Sequence, residues 1–201
     1  MSDPILISAP SLEPVTLAEA RMHLRIDASD TSEDSLITSF ITAARLQAEH
    51  ELNRKLITQT WDVPYDAFPA AGESIRIAPS LAPVQSIVQV AYLDTTAVVR
   101  TVSSANYLLD AAALPGYVFP MAGYSWPADV ADSANAVKVR VTCGYGSLAS
   151  DVPRNIWSWM LLQIGAMYRN REAFSTGAPV AALPNQFTDR LLDPHRVWLM
   201  Q

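Results

Sequence analysis

Hydrophobic positions along the chain follow three different patterns. Over residues 15–56 they recur at helical spacing. Thr16 followed by Glu19 is a capping-box pair, so a short helix is predicted to begin at Leu17. Leu17, Ala20 and Leu24 then share one face. The turn-forming run Asp27-Ala-Ser-Asp-Thr-Ser predicts a stop near Ile26. Either Thr31 with Asp34 or Ser32 with Ser35 opens the next helix, whose stripe is Ile37, Ile41, Ala44, Ala48 and Leu52, widened by Leu36, Phe40 and Leu56. Taken over residues 33–55 it would be about 35 Å long at ~1.5 Å per residue. Its small residues Ala43, Ala44 and Ala48 admit close approach of another helix, in the same subunit or in a neighbour.

Over residues 60–146 the period changes to two. Ser74-Ile-Arg-Ile alternates, residues 84–94 read as a strand with an interruption, and residues 98–102, Tyr107-Leu-Leu and Tyr117-Val-Phe are short candidates. Ala136-Val-Lys-Val-Arg-Val-Thr-Cys alternates cleanly, with Val137, Val139 and Val141 on one face and Lys138 and Arg140 on the other. Short strands between Pro and Gly turns predict an antiparallel sheet or open barrel, and no crossover helix fits between them. Helical spacing returns after Asp151 and Pro153, which mark a helix start. Ile156, Trp157, Met160, Leu161, Ile164 and Met167 form a wide apolar face, and Trp159 and Tyr168 nearly close the circle. Arg169-Asn-Arg-Glu ends that helix, and residues 175–184 form an Ala, Gly and Pro loop. The fold class expected is α+β: long helices from both chain ends form one core, and a small antiparallel β insertion emerges in the middle. The corresponding parts are residues 1–60, 61–148 and 149–201.

Composition narrows the function classes. The 201 residues are 50% hydrophobic and 17% charged, so much surface is buried, in part against other subunits. A net charge of -6 does not suit a protein that grips phosphates, though it suits a wall along which DNA slides. The N-terminus has no signal-peptide pattern and no run is long enough to cross a membrane, which makes a cytoplasmic product the expectation. The single Cys143 excludes an internal disulfide, and its place at the end of a β run beside Gly144 fits a buried structural thiol.

His23, His50 and His195 are scattered and lack metal-ligand spacing. Asp27, Asp30, Glu33 and Asp34 are dense enough to attract a cation, but helix capping accounts for them. Asp129 and Asp132 are a possible carboxylate pair, and Gly144-Tyr-Gly lacks any phosphate-loop pattern. No catalytic residue, metal ligand or cofactor site is expected. Trp157, Trp159 and Trp198 are read as packing or interface residues, and Trp126, between Ser125 and Pro127, as a candidate exposed loop aromatic.

Four pieces, in order, carry a family resemblance. They are Pro14-Val-Thr-Leu-Ala-Glu-Ala-Arg-Met-His-Leu-Arg-Ile with Asp34-Ser-Leu-Ile; the long helix closing on Leu56-Ile-Thr-Gln-Thr-Trp; Val141-Thr-Cys-Gly-Tyr-Gly with Val152-Pro; and Met167-Tyr-Arg-Asn-Arg-Glu-Ala. Together they resemble the head-to-tail connector (adaptor) proteins of tailed phages and phage-derived gene transfer agents, in the long form with a strand-rich middle. The resemblance implies a helical connector core and a homo-oligomeric ring, typically of twelve copies, docked beneath the portal protein. It further implies contact with a tail-side stopper or terminator protein, DNA passing through the lumen without sequence-specific binding, no membrane, and final residence in the particle neck. It implies no catalysis. The competing readings are a carbohydrate- or receptor-binding tail module built around Trp126 and Tyr124, and a hydrolase using Cys143 or the Asp27–Asp34 cluster. Within the connector reading, Phe187, Leu191, Leu192, Val197, Trp198, Leu199 and Met200 are the expected interface residues, because so short an apolar segment has to lie on something larger. That surface is either its own subunit or, for an arm with Trp198 as anchor, the portal or a neighbouring subunit.

Overall fold

The structure is a computed structural model that describes residues 3–170 and 190–197. Its architecture is α+β, with three helices and two antiparallel sheets. Helix α1 (Leu17–Leu24) starts on the expected capping box: Thr16 Oγ1 accepts from Glu19 N at 3.2 Å, and Glu19 Oε2 accepts from Thr16 N at 2.8 Å. Helix α2 (Asp34–Leu52) has every member of the expected stripe buried. It stops three residues short of the expected end because Asn53 turns left-handed at φ 51°, a conformation asparagine tolerates. Helix α3 (Arg154–Arg169) follows Pro153, as expected.

The helices share one core. Ile37, Ile41, Ala44, Ala48 and Leu52 of α2 meet Ile156, Trp159, Met160 and Ile164 of α3, and Ala20 of α1 closes the group. Ala44 and Ala48 therefore serve a helix contact inside the subunit, while Ala43 faces outward. Each buried Leu or Ile side chain is worth about 1.5–3 kcal/mol, so this stripe alone outweighs the helix propensities.

Eight strands form the rest: β1 (Ile5–Ser8), β2 (Gln59–Tyr65), β3 (Ile75–Arg76), β4 (Val84–Leu93), β5 (Val99–Val102), β6 (Tyr107–Asp110), β7 (Tyr117–Pro120) and β8 (Val137–Cys143). The first sheet has the order β1-β2-β8-β4-β5 and the second β3-β7-β6. The late strand β8 takes the centre of the larger sheet, and the interruption expected in β4 is a pair of register shifts against it. Between the sheets lies a second core, with Val63, Val90, Val102, Val139, Val141 and Cys143 meeting Ile75, Val118 and Trp126.

The β part is thus larger than the small insertion expected, with a core of its own. Two of its strands lack the expected pattern. Strand β1 has all four side chains exposed, so nothing in it alternates. Strand β2 contains Pro64, which a strand accepts where it has a single neighbour; β1 extends only to the partner of Asp62.

At Gly144 the backbone has φ +124°, and a Cβ would stand 2.6 Å from the Ile57 carbonyl. Only glycine fits there, and it lets the chain leaving β8 run against the α2–β2 connection. Gly144 N donates to Pro83 O and Tyr145 N to Leu56 O, both at 3.0 Å.

Candidate functional site

The seam between the two cores is organised by a buried carboxylate. Glu49, 4% exposed, projects from the last turns of α2. Its Oε1 accepts from Leu56 N at 3.1 Å and from Gln59 Nε2 at 3.0 Å. Its Oε2 lies 3.4 Å from Lys55 Nζ and 3.6 Å from Arg45 Nη1. The network continues both ways. Arg45 Nε donates to Glu13 Oε2 at 2.7 Å, and Trp61 Nε1 donates to Gln59 Oε1 at 3.0 Å beneath the Lys55 ammonium. A buried charge persists only when paired and hydrogen-bonded, and this one has four partners. It fixes how helices and sheet meet. Arg45 and Glu49 stand at i and i+4, a spacing that normally marks an exposed pair; that is why sequence reasoning passed over them.

Beside this seam lies the described part of the C-terminal segment, residues 190–197. Leu192 is fully buried in the helical core, Val197 is nearly so, and Leu191 packs at its edge. Val197 N donates to Leu52 O at 2.9 Å, Asn155 Nδ2 donates to Leu191 O at 2.8 Å, and Arg54 Nε donates to His195 O. Because the amide of Asn155 is spent on Leu191, its Oδ1 faces His195 Nε2 at 3.1 Å, which makes that nitrogen the donor. Burial, aided by the nearby Arg54 charge, lowers the His195 pKa and favours the neutral ring. Of the expected interface residues, Leu191, Leu192 and Val197 are therefore brought onto their own subunit. Phe187, Trp198, Leu199 and Met200 lie outside the described residues.

The residues held for other chemistry are scattered. Cys143 is buried, its Sγ 3.7 Å from Gln59 O, and burial pushes its thiol up to about 12, so it is not poised as a nucleophile. Asp27 and Asp30 cap their own turns through Ser29 and Ser32, hydrogen bonds that hold both carboxyls below the usual range. Asp34 pairs with Arg21, and Glu33 accepts from the Tyr168 hydroxyl. Asp129 accepts from the Tyr92 hydroxyl at 3.2 Å. Among the described residues no group of three His, Cys, Asp or Glu could hold a metal ion, and no helix is long and apolar enough to cross a membrane.

Trp126 corrects the expectation of an exposed loop aromatic. It is 6% exposed, stacks on Phe68 at 5.2 Å between centroids, and donates from Nε1 to Glu73 O at 2.8 Å. The second core needed a large side chain to close its end, and the indole N–H found a backbone acceptor there.

Residues 14–96 match the family described as phage gp6-like head-tail connector protein. The segment runs from the approach to α1 through the Glu49 seam to the end of β4, so the family signature lies on the helix–sheet junction. No curated protein sequence matches the chain. Among solved structures it is similar to a chain from the neck of an empty GTA particle computed with C6 symmetry, at a TM-score of 0.78 and 21% identity, covering 100% of this chain and 98% of that one. A chain from the virion of a native gene transfer agent (GTA) particle has a TM-score of 0.73 at 19% identity, covering 98% and 97%. A chain from the neck of a native GTA particle computed with C12 symmetry has 0.70 at 20%, again covering 98% and 97%. These likenesses show that the fold shared with those chains spans both the helical and the strand-rich parts.

Proposed function

We propose that this protein is a head-tail connector, a structural subunit of the neck of a tailed-phage or GTA-like particle. It forms a ring beneath the portal, continues the DNA channel and joins head to tail. The observation that carries this is the family match over residues 14–96 on a fold that follows neck chains along their whole length. A ring of twelve copies, a tail-side stopper or terminator above or below it, and DNA sliding through an acidic lumen belong to the same reading. So does a division into residues 1–60 and 149–201 as helical core with 61–148 as the sheet part; the two separate buried clusters support it, while β1 of the first part joins the sheet as an edge strand. Such a protein is made in the cytoplasm and ends in the particle.

The role is architectural and not enzymatic, in keeping with a buried, protonated Cys143 and acidic side chains committed to turns and ion pairs. The receptor-module alternative loses its platform, since Trp126 is core. Within the reading, Leu191, Leu192 and Val197 seat the C-terminal segment on its own subunit, and Trp198 is the proposed portal anchor. Native mass measurement and negative-stain imaging of the protein, alone and with its portal, test the function. Rings on the portal are expected, and a protein that stays monomeric in the portal's presence would refute it.

A further inference from the structure

The larger sheet ends in two unpaired edges that face in opposite directions. On one side is β1, on the other β5, and among the described residues neither has a strand beyond it. Apart from their ladders with β2 and β4, Ile5–Ser8 and Val99–Val102 make no backbone hydrogen bond among the described residues. Both edges expose aliphatic side chains, and β5 carries in addition the exposed Arg100, paired with Asp94, and Thr101. Ile5, Leu6 and Ile7 are 54%, 46% and 45% exposed, and Val98 and Val99 are 46% and 69%. Strand β1 carries no charge; it is four residues long, follows Pro4 and has a register shift after Leu6. A solitary protein would be expected to guard such edges with lysine or proline.

The four pairings from β1 to β5 are all antiparallel, so the two edge strands run the same way. Two copies side by side in a ring would bring β5 of one against β1 of the next in parallel. Pairing β1 with β1 would instead close a two-fold dimer and stop. We propose that neighbouring subunits join by β-augmentation, β5 of one copy adding β1 of the next, to make a continuous sheet around the ring. The inference rests on the ring-forming function proposed above and names its contact.

The geometry permits closure. Strand β1 lies opposite residues 60–62 of β2, whereas β5 aligns, through β4 and β8, with residues 63–65 and beyond. The two edges are therefore offset by about three to four residues, or roughly 12 Å, across a five-strand width of about 24 Å. Strands leaning about 25° from the ring axis absorb that offset, as strand tilt absorbs stagger in closed barrels. Ile5 shares the outer face of the sheet with Val99 and Thr101, because Asp62, Arg140 and Gln89 link them residue by residue.

Cysteine pairs give the test, since the native thiol of Cys143 is buried and silent. The full-length double variants Ile5→Cys with Val99→Cys, and Ile5→Cys with Thr101→Cys, are assembled on the portal, oxidised and run without reductant. A ladder of covalent multimers up to the full ring is expected from at least one pair, and none beyond a dimer from the single variants. The double variant Ile5→Lys with Val99→Lys should keep the parent melting temperature yet lose ring assembly at least tenfold. Rings that form normally, resist both lysines and give no ladder would overturn the edge pairing while leaving the ring intact. A parent protein that never forms rings would instead refute the underlying function, and the pairing with it.

Discussion

The two ends of the chain are attached to the same body by different means. The C-terminal segment, residues 190–197, is held by side chains: Leu192 is buried to 0% exposure, and Asn155, Arg54 and Leu52 grip its backbone. The N-terminal strand β1 is held by backbone alone, as a fifth strand whose four side chains all remain exposed. A segment that sinks its hydrophobic groups into its own core has little left to offer a partner. A strand that keeps both its aliphatic groups and one row of peptide hydrogen bonds unspent has a good deal. The expected apolar contact surface at the C-terminus is, over the described residues, an internal one, and the open surface lies at the other end of the chain.

The largest effect should come from breaking this contrast at its anchor. Leu192→Ala removes a fully buried side chain and should cost about 2–5 kcal/mol, by lost transfer energy plus a residual cavity. Leu6→Ala, on a strand whose aliphatic side chains stay about half exposed, should cost about 1 kcal/mol or less. Denaturant melts of the two monomeric variants decide the matter. Equal losses would mean that β1 is as much part of the core as the C-terminal segment, and the comparison would collapse.

How far the chain could be read in advance follows the same division. Helices α1, α2 and α3 were legible because each buries a stripe at its own period, and Thr16, Glu19 and Pro153 mark where two of them begin. Strand β8 was legible because one of its faces is buried and the other is not. Strand β1 was not, since burial imposed no alternation on it, and Pro64 disguised β2. The Glu49 network escaped notice because a charged residue in the last turn of a helix ordinarily points to water. Its burial depends on Gln59 and Leu56, which arrive only when the chain folds back. Cys143 is the structural thiol expected. The acidic turn is structural too, but its carboxylates cap turns and pair with Arg21 and Tyr168, and among the described residues no side chain caps α2. Trp126 was a candidate exposed aromatic because neighbouring prolines and serines describe a loop, not what lies beneath it.

A smaller effect is expected from pH, and only at the C-terminal end. Burial lowers the His195 pKa, so the folded segment prefers the neutral ring, while the unfolded chain takes up its proton near 6.5. Below that value the unfolded state binds more protons than the folded one, and stability contributed by the site declines. It is fully present above pH 6.5 and drains away as pH falls through the window between 6.5 and the lower folded-state value. Protonation also leaves the ring beside the Arg54 guanidinium, a second cation that the neutral form does not oppose. An NMR titration of the imidazole should show a midpoint below 6.5, with amide signals of residues 190–197 shifting in step and those of β1 unmoved. A His195 midpoint above 6.5, or parallel shifts in β1, would remove pH as a way of telling the two ends apart.

The smallest expected effect sharpens the comparison by asking what the charges at the docked end contribute. Arg196 lies across the end of α2, with Nη2 3.1 Å from Glu51 Oε2 and Nε donating to Glu51 O at 2.9 Å; its Nη1 stands 3.8 Å from Asp193. The Glu51 side chain is 43% exposed, so water and salt screen the pair, and ordering two long side chains offsets much of the attraction. Arg196→Ala should therefore lower stability by only about 0.2–1 kcal/mol, and the part due to Glu51 should shrink in high salt. The bond to the Glu51 carbonyl does not depend on the carboxylate, so Glu51→Gln should cost less than Arg196→Ala. A double-mutant cycle between the two positions isolates the charge contribution. If that coupling exceeded the loss from Leu192→Ala, electrostatics would be what holds the C-terminal segment. The distinction between a buried end and an open one would then have to be drawn in charge instead of in hydrophobic burial.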